Sequence, residues 1–302
     1  MANTKEIKTR INSVKDTQKI TNAMYLIAST KMRKAKNELD QTRPYFGALQ
    51  GEIKRIFRTA GDVKSRYFYP PEGSPALNGT YGVLVITADK GLAGAYNQNA
   101  IKEALKLLHA HPDTKLFVVG EYGRQFFMQH HIPIERSFLY TAQNPTMQRA
   151  REISSLLLDL FDQGKLEKIY VVYTDLKNGL AEEAISTRLL PFHRGQFTTS
   201  TPEKTVTVPF EFLPSIGAVL DNIMSSYVSG FLYSALVDSF CSEQNARMTA
   251  MNSANQNAEK ILADLSVQYN RVRQAAITQE ITEVSSGAKA QKKKKTKEVS
   301  GL

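Results

Sequence analysis

"YGVLVITADKGLAGAYN" (residues 81–97) joins an apolar run rich in β-branched residues to a loop holding Gly91 and Gly94. Val83 to Thr87 is short and nearly continuous in its apolar character, the pattern of a strand buried on both faces. A helical stretch follows directly, near Gln98–His111. Two further runs of the same kind, "TKLFVVG" and "KIYVVYT", are separated by helical stretches near Glu121–His131 and Pro145–Gln163. Strands that alternate with helices predict a mostly parallel sheet covered on both faces. "EEAISTRLL" alternates apolar and polar residues more strictly.

The two ends of the chain have another rhythm. Asn3 followed by Glu6 fits a helix-opening capping box. Ile7, Ile11, Val14, Met24, Ile27, Ala28, Ala35 and Leu39 then step at helical intervals, with no Gly or Pro before Pro44. The stripe is narrow and interrupted at Thr17 and Gln18, which suits a two-helix seam better than a globular core. From Ser215 to about Ser286 there is no proline, and apolar positions recur from Ile216 to Ile281 and Val284. A helix of about 70 residues would run roughly 105 Å. Such a length calls for a coiled coil. The small residues Ala246, Ala250, Ala254 and Ala258 would let a partner helix approach closely.

The reading is therefore α/β. Two long terminal helices forming an antiparallel coiled coil flank a Rossmann-like central domain. The expected divisions are a first helix at 1–60, a linker at 61–80, the α/β domain at 81–195, a polar connector with one possible edge strand at 196–214, a second helix at 215–286 and a basic disordered tail at 287–302. Helices packed onto the domain as a bundle are the alternative to a coiled coil.

The net charge of +10 is uneven. Residues 1–60 hold thirteen basic and five acidic side chains, and residues 287–302 hold six lysines and one glutamate, whereas the middle is slightly acidic. Basic ends suit an acidic partner or a solvated helix face. The single cysteine, Cys241, excludes an internal disulfide. No run reaches the roughly 20 apolar residues of a membrane span. The first residues lack an apolar signal core, so no export is expected. The five histidines (109, 111, 130, 131, 193) have no metal-site spacing, and no Ser–His–Asp or Cys–His arrangement stands out. The loop "ADKGLAGAYN" could offer helix N–H groups to a phosphate, but it matches neither phosphate-binding glycine motif, and Lys90 precedes the glycines. It reads either as a nucleotide site or as a turn that needs glycine.

Four stretches, "TKEIKTRINSVKDTQKITNAMYLIASTKMRKAK", "ITADKGLAGAYN", "SEQNARMTAMNSANQNAEKI" and "YNRVRQAAITQEITEVSSGA", together closely resemble the gamma subunit of rotary ATP synthases. The resemblance implies a non-catalytic rotor, with the coiled coil as a central shaft inside a ring of three alpha and three beta subunits. It implies that the α/β domain lies at the shaft's foot, beside the epsilon subunit and the membrane ring of c subunits. It implies no cofactor and no nucleic-acid partner. It also implies membrane association through the complex; the lack of a transit segment in the first residues points to the cytoplasmic face of a bacterial membrane, with a mature organellar chain as the alternative. Carried over by motif, Met24, Arg247, Arg273, Gln274, Thr278 and Glu280 are the expected contacts with the alpha–beta ring. Many family members carry cysteine where this chain has Ala93, so thiol chemistry there is excluded. Two readings remain beside the resemblance. One is a nucleotide-binding α/β enzyme with helical arms; the other is a basic nucleic-acid-binding coiled coil, which would show a steep salt dependence.

Overall fold

A computed structural model describes residues 4–60, 65–69, 79–139, 142–177, 181–193, 197 and 212–299. Asn3 and the possible edge strand within 196–214 lie outside the described residues. The elements are α1 (Thr4–Ala60), β1 (Tyr81–Ile86), α2 (Tyr96–Ala110), β2 (Thr114–Val119), α3 (Glu121–Gln129), β3 (Arg136–Phe138), α4 (Met147–Asp162), β4 (Lys168–Lys177), β5 (Ala181–Leu190) and α5 (Ile216–Val299). They form two compact units, one of Leu26–Ala250 and one of Met1–Tyr25 with Met251–Leu302.

The larger unit is built on a five-stranded sheet of order β3-β2-β1-β4-β5. The first four strands are parallel, and β5 runs antiparallel to β4. β1 lies at the centre and is buried at every position. Alternate residues of the strands serve opposite faces, as a period of two requires. Leu84, Ile86, Phe117, Val119, Ile169 and Val171 pack with α4 and with the α1 and α5 segments of this unit. Val83, Val85, Leu116, Val118 and Val172 pack with Ile101 and Ala104 of α2 and Phe127 of α3. Both faces are covered, which accounts for the unbroken apolar runs in the sequence.

Local chemistry fixes the helix starts. Thr146 caps α4 by accepting from the Arg149 N–H at 3.3 Å. Asp89, in the loop after β1, accepts from the Glu121 N–H at 2.9 Å and so caps α3 from a distance in sequence. Gly120, just before α3, has φ +96, and a Cβ there would overlap the Thr87 carbonyl.

α1 runs through Pro44, Gly47 and Gly51 to Ala60, the end expected for the first helix. Its far part is held by burial of Ile53, Ile56 and Phe57, and packing of this kind overrides a local breaker. α5 continues past 286 to Val299, through residues expected to be a disordered tail. Lys, Ala, Gln and Glu are good helix formers, and after Gly287 nothing breaks the run. Within the expected linker, Tyr67, Phe68 and Tyr69 are buried, and Phe68 bridges to Phe192. The rings of Phe57, Phe68, Phe192, Phe197 and Tyr227 form one cluster that joins α1, this segment and α5. Finally, β3 was not anticipated; three residues at a sheet edge leave almost no periodicity to read.

α1 and α5 also touch closely inside the larger unit. A Cβ on Gly230 would overlap the Phe46 ring, so glycine lets that ring approach α5 closely. Cys241 is buried, with its Sγ 3.9 Å from the Met32 carbonyl, and burial pushes its thiol up to about 11.

The smaller unit is a pair of helix segments. On α1, Thr4, Ile7, Ile11, Val14, Gln18, Thr21 and Tyr25 are less exposed positions spaced alternately by three and four, with Met24 half-buried beside Tyr25. On α5 the same alternation runs through Met251, Asn255, Ala258, Leu262, Leu265, Tyr269 and Val272. This is the heptad spacing of a two-stranded seam. Gln18 donates to Glu259 at 3.4 Å, and Thr21 bonds to Asn255. As the α1 number rises its α5 partner's falls, so the segments are antiparallel. The interruption seen at Gln18 is therefore a polar layer of the seam, a device that fixes register. Among the described residues no helix is long and apolar enough to cross a membrane.

Candidate functional site

Extending the register of Gln18–Glu259 and Thr21–Asn255 brings the start of α1, Thr4, beside the α5 turn that contains Val272. Beyond that point α5 has no paired helix among the described residues, and residues 273–291 are all exposed. Arg273, Gln274, Thr278 and Glu280 lie on this unpaired stretch. Thr278 Oγ1 is turned onto its own helix, donating to the Gln274 carbonyl at 2.9 Å. Gln279 donates to Glu283 at 3.0 Å.

Three large apolar side chains share the stretch. Ile277, Ile281 and Val284 are 45%, 63% and 73% exposed. Ile281 and Val284 were read from the sequence among the recurring apolar positions of this helix, but they, like Ile277, are out of phase with Leu265, Tyr269 and Val272 and past the end of α1. A helix that shows water both a guanidinium, amides and a carboxylate and an apolar strip is equipped to meet another protein. Counting from the seam register to the first residue of α1 would have separated these residues from the seam in the sequence itself.

Met24 lies in the same unit but not in the same place. It is half-buried on α1, one turn after the exposed Ile20 and next to the Thr21 layer. From Asn255 to Arg273 is 18 residues of helix, or roughly 27 Å.

Arg247 belongs to the larger unit and has partners within the chain. It is only 8% exposed, pairs with Glu243 one turn earlier at 2.5 Å, and donates to the Gly91 carbonyl at 3.1 Å. Burial pushes the Glu243 carboxyl up, against the pull of the Arg247 charge. The acid–base pair four residues apart was visible in "SEQNARM" but was not read as a pair.

The glycine loop is thereby accounted for. Ala88, Ala93 and Tyr96 form a buried cluster with Ala246 of α5. Asn97 accepts from the Ala88 N–H at 2.9 Å. Gly94 takes φ +54, a backbone angle that favours glycine, with open space around it. Tyr96, the first residue of α2, is 3% exposed, and burial raises its pKa. A phosphate seeking the start of α2 would meet α5 instead of free N–H groups. The loop is a turn packed on a helix.

Comparison with known proteins agrees with this architecture. A family model described as ATP synthase matches residues 3–291. The ATP synthase gamma chain of Caldanaerobacter subterraneus subsp. tengcongensis is 40% identical over 292 residues, covering 94% of this chain and 98% of that relative. The gamma chain of Acetivibrio thermocellus is 39% identical over 298 residues, covering 97% and 100%. Among solved structures, a chain of the central stalk and c-ring of the Tetrahymena thermophila mitochondrial ATP synthase superposes with a TM-score of 0.60 at 24% identity, covering 78% of this chain and 99% of that one. At that identity the likeness speaks for the fold.

Proposed function

The chain belongs to the ATP synthase gamma-chain family, and on that premise we propose how its surface serves a central-stalk rotor. As a gamma chain it is a subunit of the synthase and not its catalytic part. It turns within a ring of alpha and beta subunits, and ion flow through a membrane ring of c subunits drives the turning. The epsilon subunit and the c-ring meet the α/β domain. Membrane association comes through the complex, on the cytoplasmic face.

The coupling is conformational. A shaft can favour one state of a nucleotide site only by making different contacts with its different states. A surface that is the same all round would shift nothing however tightly it bound. The observation that carries the reading is the unpaired end of α5. Arg273 presents a planar fork suited to carboxylates, Gln274 and Glu280 present polar groups, and Ile277, Ile281 and Val284 present an apolar strip on a single exposed helix. Such a helix differs from side to side, as the mechanism requires. Met24 adds a second contact, further along the seam. Arg247, buried against Glu243 and the Gly91 carbonyl, serves the shaft from within by holding α5 to the loop after β1.

The test is to purify alpha and beta with and without this chain and to assay ATP hydrolysis. Hydrolysis is expected to need all three chains, and the isolated chain is expected to hydrolyse nothing. Turnover by alpha and beta that ignored this chain would overturn the reading.

A further inference from the structure

A rotor must not slip on the domain that turns it, and apolar packing alone resists sliding poorly because it has no direction. Within the larger unit, α5 makes a set of directional bonds to the C-terminal edge of the sheet. β4 pairs with β1 only as far as Val172. Two residues on, the Thr174 N–H donates to Ser239 Oγ at 3.2 Å, and the Thr174 carbonyl accepts from Ser242 Oγ at 3.2 Å. The two serines, three residues apart on α5, thus take the place of the missing strand. Both hydroxyls are buried. One turn further, Asn245 donates to Glu182 of β5 at 2.8 Å. Arg247 then reaches the Gly91 carbonyl in the loop after β1. Successive turns of one helix are bonded to β4, β5 and the β1 loop.

We propose that Ser239, Ser242 and Asn245 are positioning residues for coupling: they hold α5 in fixed register and rotation on the α/β domain, so that torque passes between them without loss. This rests on the rotor reading above. Moving α5 by one residue, or turning it by the same step, would break all of these bonds together, and Thr174 would lose the partners of both its buried backbone groups. Leaving such groups unpaired is costly. Displacement is therefore opposed in two directions, along the helix and around it.

The experiment uses the full complex in membranes and reads ions moved per ATP hydrolysed, beside the hydrolysis rate. The Ser239→Ala/Ser242→Ala variant is expected to assemble and to hydrolyse ATP, with ions per ATP lowered by about threefold or more. Hydrogen exchange at the Thr174 amide should quicken in the same variant. Faster exchange with unchanged ions per ATP would overturn the proposal and leave the rotor reading standing. Complexes whose hydrolysis ignores the wild-type chain would overturn the rotor reading itself. Should the double serine variant not assemble, Asn245→Asp decides. It sets a carboxylate against Glu182 and should lower ions per ATP, and adding Glu182→Gln, which restores the hydrogen bond with the donor reversed, should recover them. No recovery, or no loss to recover, would overturn the proposal. A role in stability alone would lower the melting temperature and leave ions per ATP unchanged.

Discussion

α5 is one helix in two surroundings. Between Ile216 and Ala250 it buries Leu220, Met224, Val228, Leu232, Leu236 and Phe240 in a core shared with the sheet, with neighbouring residues such as Tyr233 and Val237 buried as well. From Met251 to residue 291 it buries Met251, Ala258 and Leu265, each seven residues from the last, and from Arg273 to residue 291 every described side chain is exposed. The helix itself does not change; what lies beside it does. A sheet takes up a broad face, a partner helix takes up a stripe, and a helix without a partner keeps every side chain in water. A substitution should therefore cost what its neighbours make it cost.

Removing a large side chain from the sheet's core should cost most. Phe117→Ala, at a fully buried position, is expected to lower the unfolding free energy by about 3–5 kcal/mol in denaturant melts. A loss under about 1 kcal/mol would mean that the core collapses around the gap. Overfilling should come next. Gly230→Val drives a branched side chain into the Phe46 ring and should cost about 1–3 kcal/mol by the same measurement. In the seam, Leu265→Ala should cost about 2 kcal/mol or less, because water already reaches the edges of a two-helix stripe. Its effect should be local: amide exchange should quicken in α5 beyond Met251 and stay unchanged in β1 and β2. A uniform effect across both units would break the contrast drawn here.

Two smaller effects sharpen it. Burial raises the Glu182 carboxyl above its usual 4.5, opposed by the hydrogen bond from Asn245. The native state therefore holds this proton more tightly than the unfolded chain. The stability this contributes is fully present below about pH 4.5 and is lost as pH rises through the folded value. Glu182→Gln keeps an acceptor for Asn245 and should flatten that part of the stability–pH curve; an unchanged slope would count against it. Last, Arg273→Ala with Gln274→Ala should alter stability by less than about 0.5 kcal/mol, since both side chains stand in water. It should nevertheless lower ion transport per ATP in the assembled complex. Unchanged transport would remove these residues from the working surface.

The sequence made the α/β alternation and the helical ends readable because both rest on periodicity. The core strands are apolar on two faces, and the seam keeps its four–three spacing. What it did not reveal depends on distant partners. β3 exists because β2 offers it an edge. α1 survives Pro44 because Ile53, Ile56 and Phe57 are buried beyond it. Gln18 looks like an interruption until Glu259 stands opposite it, one turn from the Thr21–Asn255 pair. Arg247 was recognisable by motif, but its bond to Gly91 spans 156 positions in sequence and needs the fold to bring the two together. The exposed Ile281 and Val284 keep a helical spacing of their own and read as seam until their phase is set against Leu265, Tyr269 and Val272 and the end of α1 is located.

Cys241 has a practical consequence. It is the only thiol in the chain, and burial holds it in the unreactive protonated form at neutral pH. A cysteine introduced on the bare end of α5 would be the one site open to a maleimide dye while the protein stays folded. Fluorophores could then report angular position on the native background, with no need to remove Cys241 first and disturb the helix contact it fills.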